Sequence, residues 1–208
     1  MAEKALMSDD LDYLRTLAEA GENAPLLGGR FLSWWGGVIT IAYLGHYLIQ
    51  TGQIGLPKES VGWLWLGVIS IGVIGHAILV ATFSRDKPGA GSVGNRTQRM
   101  VWQNAGLVLI GLFVALTLRV SFGLGDPSDF NWSLPVVFAL YSLALGLSGY
   151  MGQNRILKMA GWGASIVVPI TVWFIGSVHL YAIASIAIAI TVFLPGLALL
   201  RAEPSETV

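Results

Sequence analysis

The chain contains no cysteine. It can therefore form no disulfide, thiolate metal site, iron–sulfur cluster or palmitoyl anchor, and its fold is indifferent to the redox state of its compartment. Charge is scarce as well: 12% of the 208 residues are Asp, Glu, Lys or Arg, about half the share found in a soluble domain. All twelve acidic residues lie outside the long apolar stretches, which removes the intramembrane carboxylate, the usual mark of a proton relay or ion site. The formal net charge of zero leaves no basic footprint for nucleic acid. Histidine occurs only three times, at His46, His76 and His179.

What is present is apolar. Hydrophobic residues make up 54% of the chain and the mean hydropathy is +0.68, so the expected solvent is a lipid bilayer. Predominantly apolar runs at 31–50, 62–83, 100–120, 132–152, 156–176 and 178–200 each reach the roughly 20 residues that cross about 30 Å of hydrocarbon as a helix. The expected fold is all-α, a six-helix transmembrane bundle over 31–200, with a cytoplasmic segment at 1–30 and a cytoplasmic tail at 201–208. The last boundary is the least marked, because only Ser177 and His179 interrupt an apolar run from Ile166 to Leu200. Its length requires a tight hairpin there.

Orientation follows from the cations, which concentrate on cytoplasmic loops. With the N-terminus inside, Lys4, Arg15, Arg30, Arg85, Lys87, Arg96, Arg99, Arg155, Lys158 and Arg201 are cytoplasmic and only Lys58 and Arg119 lie outside. Both termini are therefore expected in the cytoplasm. Trp34, Trp35, Trp63, Trp65, Trp102, Trp132 and Trp162 fall near the first turns of five successive helices, where indole rings favour the headgroup boundary. They read as an aromatic belt. The compact chain with short loops looks prokaryotic, which makes the plasma (inner) membrane its expected address.

The first thirty residues lack a basic leader before an apolar core and hold six acidic residues, so they do not read as a signal peptide. Ser8 can cap a short helix with Asp9 and Asp10 in its first turn; Leu11, Leu14 and Ala18 share one face, and Gly21 is a stop. A short amphipathic cytoplasmic helix is expected, packed on the bundle or docking a partner protein.

One internal repeat stands out. Trp35-Gly-Gly-Val-Ile-Thr-Ile-Ala-Tyr-Leu-Gly-His46 aligns without a gap to Trp65-Leu-Gly-Val-Ile-Ser-Ile-Gly-Val-Ile-Gly-His76, an offset of 30. Copies on consecutive membrane helices run antiparallel, the arrangement of an inverted repeat. If His46 and His76 faced one another they could hold a haem, a metal or a polar solute. The flanking apolar lengths differ, however, which sets the two rings at unequal depth. Two interior histidines, each hydrogen-bonded to a partner such as Thr40, Ser70 or a tyrosine hydroxyl, are the expected arrangement. His46, His76, Arg119 and His179 together form a candidate polar pathway, with His46 and His76 the only weak cofactor candidates. No catalytic or metal site is expected.

Two further motifs look chemical. Gly146-Leu-Ser-Gly149 resembles over four residues the G-x-S-G of rhomboid intramembrane proteases, with His179 as the notional base. Ser148 lies near the inner end of its helix and His179 at the outer face, far beyond the about 3 Å that a nucleophile and base require. Gly146, Gly149 and Gly152 instead read as a helix-packing seam. Gly89-Ala-Gly-Ser-Val-Gly94 has the dinucleotide-loop form, but no strand precedes it. Among Arg85, Lys87, Arg96 and Arg99 it reads as a cytoplasmic loop at anionic headgroups. Gln103 and Asn104, near the inner end of the third helix, are the polar residues best placed to join helices. Pro169 implies a kink in the fifth.

The expected function is therefore non-catalytic: an integral membrane protein working as an oligomer, or as an accessory or regulatory subunit with a membrane or cytoplasmic protein partner. The alternative is a small-solute transporter or channel built on the inverted pair 31–50/62–83. A haem protein on the histidines ranks last.

Overall fold

The computed structural model describes residues 24–82, 87 and 89–203. The segment expected to form the amphipathic helix, Ser8 to Gly21, lies outside the described residues. Six long helices follow in order: α1 Gly29–Gln50, α2 Ser60–Ala81, α3 Val93–Ser121, α4 Ser133–Met151, α5 Arg155–Trp173 and α6 His179–Ala202. A 3₁₀ turn, Pro127–Trp132, leads into α4. No strand occurs among the described residues.

Five of the six, α2 to α6, are long and apolar enough to cross a membrane. The exception is α1, which matches α2 in length at 22 residues and in holding one His and four Gly but adds Arg30, two Tyr and Gln50, residues that lower its hydropathy. Its position accounts for this composition. α1 is flanked by α2 on one side and α6 on the other, so much of its surface meets protein.

The helices form a row, α2–α1–α6–α5–α4–α3, in which each packs chiefly against its neighbours. α2 and α3, consecutive in the chain, end at opposite edges of the row. The central core joins Leu32 and Tyr43 of α1, Leu134, Phe138 and Leu145 of α4, Leu157 and Ala164 of α5, and Leu180, Ala184 and Ile188 of α6.

Glycine lets the central pairs approach closely. A Cβ on Gly149 would stand 2.5 Å from the backbone nitrogen of Lys158, and one on Gly161 2.7 Å from that of Gly146. A Cβ on Gly146 itself would meet open space, whereas one on Gly152 would strike Leu26. The α4–α5 contact thus rests on Gly149 and Gly161. A second seam, which the G-x-x-G spacing did not flag, joins α1 to α6: a Cβ on Gly196 would lie 2.4 Å from Ser33 N, and one on Gly29 2.4 Å from Leu200 N. Such backbone proximity without a bulky side chain is how helices associate where lipid removes the hydrophobic incentive.

Two helices carry proline beyond their first turn. Pro169 lies in the C-terminal part of α5, four residues from Trp173, within an unbroken run of helix. An irregular turn falls in α6, where Ala189–Phe193 is π-helical. Pro195 explains it: its ring has no N–H for the Thr191 carbonyl and would collide with that carbonyl in a regular α-helix, so the turn ahead of it widens. The α5–α6 hairpin predicted from length is present, turning between Trp173 and His179 with Gly176 at φ +84°.

Candidate functional site

Among the described residues, the repeat builds a polar arrangement related by its own symmetry. α1 and α2 form an antiparallel hairpin, so the tryptophan opening each copy lies beside the histidine closing the other. Trp65 donates its Nε1 hydrogen to His46 Nδ1 at 3.2 Å, and Trp35 donates to His76 Nδ1 at 3.2 Å. The correspondence extends further. Trp34 packs over Gly75, where a Cβ would sit 2.0 Å from the indole, and its counterpart Leu64 packs at van der Waals distance from Gly45. Trp34 Nε1 also donates to the Gly72 carbonyl at 3.1 Å.

This geometry corrects the expected histidine partners. The histidine partners are indoles of the opposite copy, not Thr40, Ser70 or a tyrosine, because the antiparallel register puts tryptophan at that level. The two histidines also do not face each other: eleven residues separate Trp from His in each copy, which places the two pairs about 16 Å apart along the hairpin. With Nδ1 accepting, each neutral ring carries its proton on Nε2. Trp34, Trp35 and Trp65 therefore serve as interhelical contacts, and Trp102 packs on Tyr141 with ring centroids 5.4 Å apart. Trp63, Trp132 and Trp162 are exposed, as headgroup anchors require.

The two ends of the hairpin differ. His46 is buried and stacks on Tyr181 of α6 with ring centroids 3.6 Å apart, and the Tyr181 hydroxyl donates to Asn131 Oδ1. Trp65 in turn meets Tyr43 edge-on at 5.0 Å. The chain Trp65–His46–Tyr181–Asn131 thus ties α2, α1, α6 and the 3₁₀ turn together at one end of the bundle. His76, by contrast, is exposed at the side of α2, with Phe31 5.3 Å away.

The other two members of the candidate pathway stand apart. His179 opens α6, is exposed, and lies 6.0 Å from the Tyr47 ring. Arg119 donates through Nε to Asp129 Oδ2 at 3.1 Å, an exposed pair worth at most about 1 kcal/mol. Asp126 caps the same turn, accepting from Ser128 N at 2.8 Å. That backbone bond, with the Ser128 side chain, holds its carboxyl below the ordinary aspartate range. The four residues are not brought together into one path.

The opposite end carries a second polar cluster. Glu203, its side chain 3% exposed, accepts through Oε2 from Lys87 Nζ at 3.0 Å and Arg30 at 3.3 Å. Asn95, within the sequon Asn95-Arg-Thr97, is buried. It accepts from Leu27 N at 2.8 Å and donates to the carbonyls of Pro25 and Gly89. The glycine loop is thus bolted to the segment before α1. Arg96 and Arg99 belong to α3 rather than to that loop, because Ser92 caps the helix seven residues earlier than expected.

Ser148 is fully buried and its hydroxyl has no partner. It lies fifteen residues, about 22 Å, along α4 from Ser133, the end at which Asn131 meets α6. His179 is at that far end, so no nucleophile–base pair forms. Among the described residues no group of three metal-ligating side chains occurs. Comparison with protein-family models, curated proteins and solved structures yields no match.

Proposed function

We propose that the protein is a multi-pass subunit of the plasma membrane, with six crossing helices and both termini in the cytoplasm, that works by association with other membrane proteins rather than by chemistry. The observation that carries this reading is the exposure of the row's two edges: 11% of the apolar window of α2 and 6% of that of α3 are buried, while the centre is closely packed. Edge helices that bury so little within the chain present broad apolar faces on which another membrane helix can pack. The shared-side topology draws support from Glu203, Lys87 and Arg30, which gather the end of α6, the α2–α3 loop and the start of α1 at one face, and from the ten-to-two distribution of cations.

The pseudo-two-fold of α1 and α2 gives the transport alternative its one favourable observation, since inverted pairs enclose sites in transporters. Against it, each histidine is already held by an indole. Native mass spectrometry of protein extracted gently from its own membranes tests the proposal. A stable complex with itself or a second polypeptide is the expected result. A lone chain, together with solute flux in proteoliposomes, would transfer the assignment to transport.

A further inference from the structure

The outward face of α3 carries a polar group that lipid cannot satisfy. Asn104 is exposed and has no hydrogen-bond partner among the described residues. Its depth is set by Trp102, two residues earlier, whose ring packs on Tyr141, the ninth of the nineteen residues of α4. Asn104 thus lies level with the mid-part of α4, five residues or about 8 Å beyond the exposed Arg99 and inside the apolar run that begins at Met100. A carboxamide facing hydrocarbon forfeits its hydrogen bonds at a cost of several kcal/mol.

The residues around it are spaced for a helix partner. Met100, Asn104, Leu107, Gly111, Val114 and Leu118 follow one another at intervals of 4, 3, 4, 3 and 4, the heptad seam of paired helices. All six are exposed, and the four large apolar ones are each at least half accessible. The seam lies opposite Gln98, Trp102 and Ala105, which face the rest of the bundle. A Cβ on Gly111 would meet nothing within 4 Å, which leaves room for a second backbone. α3 also ends the row, so the seam is open along its length.

We infer that α3 is the interface of a parallel homodimer in which Asn104 of one copy pairs with Asn104 of the other. This rests on the subunit reading above and names the partner as a second copy of this chain. The chemistry selects that occupant. A carboxamide has both donor and acceptor, so it complements itself across a two-fold axis, as an isologous interface demands. Two copies inserted the same way can meet α3-to-α3 only in parallel, which brings the two amides to equal depth. A single Asn at a seam position is a known means of fixing register and copy number.

The absence of native cysteine allows a direct test on the full chain in its own membrane. Single substitutions Leu107→Cys, Gly111→Cys and Val114→Cys are expected to give disulfide-linked dimers on mild oxidation. Ile110→Cys and Thr117→Cys, exposed but off the seam, are expected to form no disulfide link. Asn104→Leu, which fits the lipid face and leaves the fold intact, is expected to weaken dimerisation about tenfold, from two interhelical bonds of modest strength. Cross-linking that ignores the 4-3 spacing, or dimerisation unchanged by Asn104→Leu, overturns the inference. In native mass spectra, a complex with a different polypeptide and no second copy overturns this interface while sparing the subunit reading; a lone chain removes both.

Discussion

Trp65 reaches across from α2 to His46 of α1 over 3.2 Å, and moving each residue by the repeat offset of 30, back for the first and forward for the second, gives Trp35 and His76 at the same distance. The repeat encodes a reciprocal clasp. Its residues are needed at both ends because an antiparallel hairpin in lipid gains little from apolar contact alone. The indole satisfies the imidazole nitrogen and the imidazole satisfies the indole.

The clasp predicts unequal costs at its two ends. Trp65→Phe keeps the ring against Tyr43 but removes the N–H, leaving a buried His46 acceptor; a loss of about 1–2 kcal/mol is expected. Trp35→Phe should cost less, since His76 is exposed. Reversible denaturant unfolding in mixed micelles measures the difference, and a larger effect at Trp35 would count against the assignment.

Glycine substitutions should sort by what a Cβ meets. Gly196→Ala drives a methyl into the Ser33 backbone at 2.4 Å, where nothing can yield without parting α1 from α6; a loss of roughly 1–3 kcal/mol is expected for such overpacking. Gly67→Ala meets open space and should be neutral or stabilising by up to about 1 kcal/mol. Thermal shifts of the two variants in one detergent check the sign of each.

Glu203 should act as a latch between the end of α6, Lys87 and the start of α1. Glu203→Gln removes the negative charge between Arg30 and Lys87 and leaves two cations facing a neutral amide, an expected loss of about 1–3 kcal/mol. Accelerated hydrogen exchange at residues 25–28 and 87–95 is the readout, because the same end carries the Asn95 bonds. Unchanged exchange there would show that the latch does not hold this end.

Acid should act late on the 3₁₀ turn before α4. The folded pKa of Asp126 is depressed by its Ser128 hydrogen bonds, so the cap is fully formed above the ordinary aspartate value of about 3.9 and is lost only as pH falls through the lower folded pKa. The Ser128 amide resonance should follow that titration. A midpoint at or above the ordinary value would contradict the capping geometry.

Much of this was legible in the residues. The helix limits fell within a few positions of the apolar runs, since hydrocarbon thickness fixes length, and the repeat at Trp35 and Trp65 announced the antiparallel pair. The exception was the start of α3: Ser92 and Asn95 extend the helix through Arg96 and Arg99, and charge alone concealed that. The identity of the histidine partners was not legible, because one copy shows Trp and His eleven residues apart and only the antiparallel register makes them neighbours. The Gly29–Gly196 seam was hidden for the same reason: its members lie on helices at opposite ends of the chain. Pro195 was visible, but the widened turn it causes depends on the helix continuing through it.

The most direct measurement is ¹⁵N solid-state NMR of the full-length protein, histidine-labelled, in lipid bilayers. Trp65→Phe should shift the Nδ1 resonance of His46 alone, and Trp35→Phe that of His76 alone, with both rings protonated at Nε2. If either histidine ignores its tryptophan, or if adding haem or zinc moves both resonances together, the clasp is wrong and the pair is a ligand site.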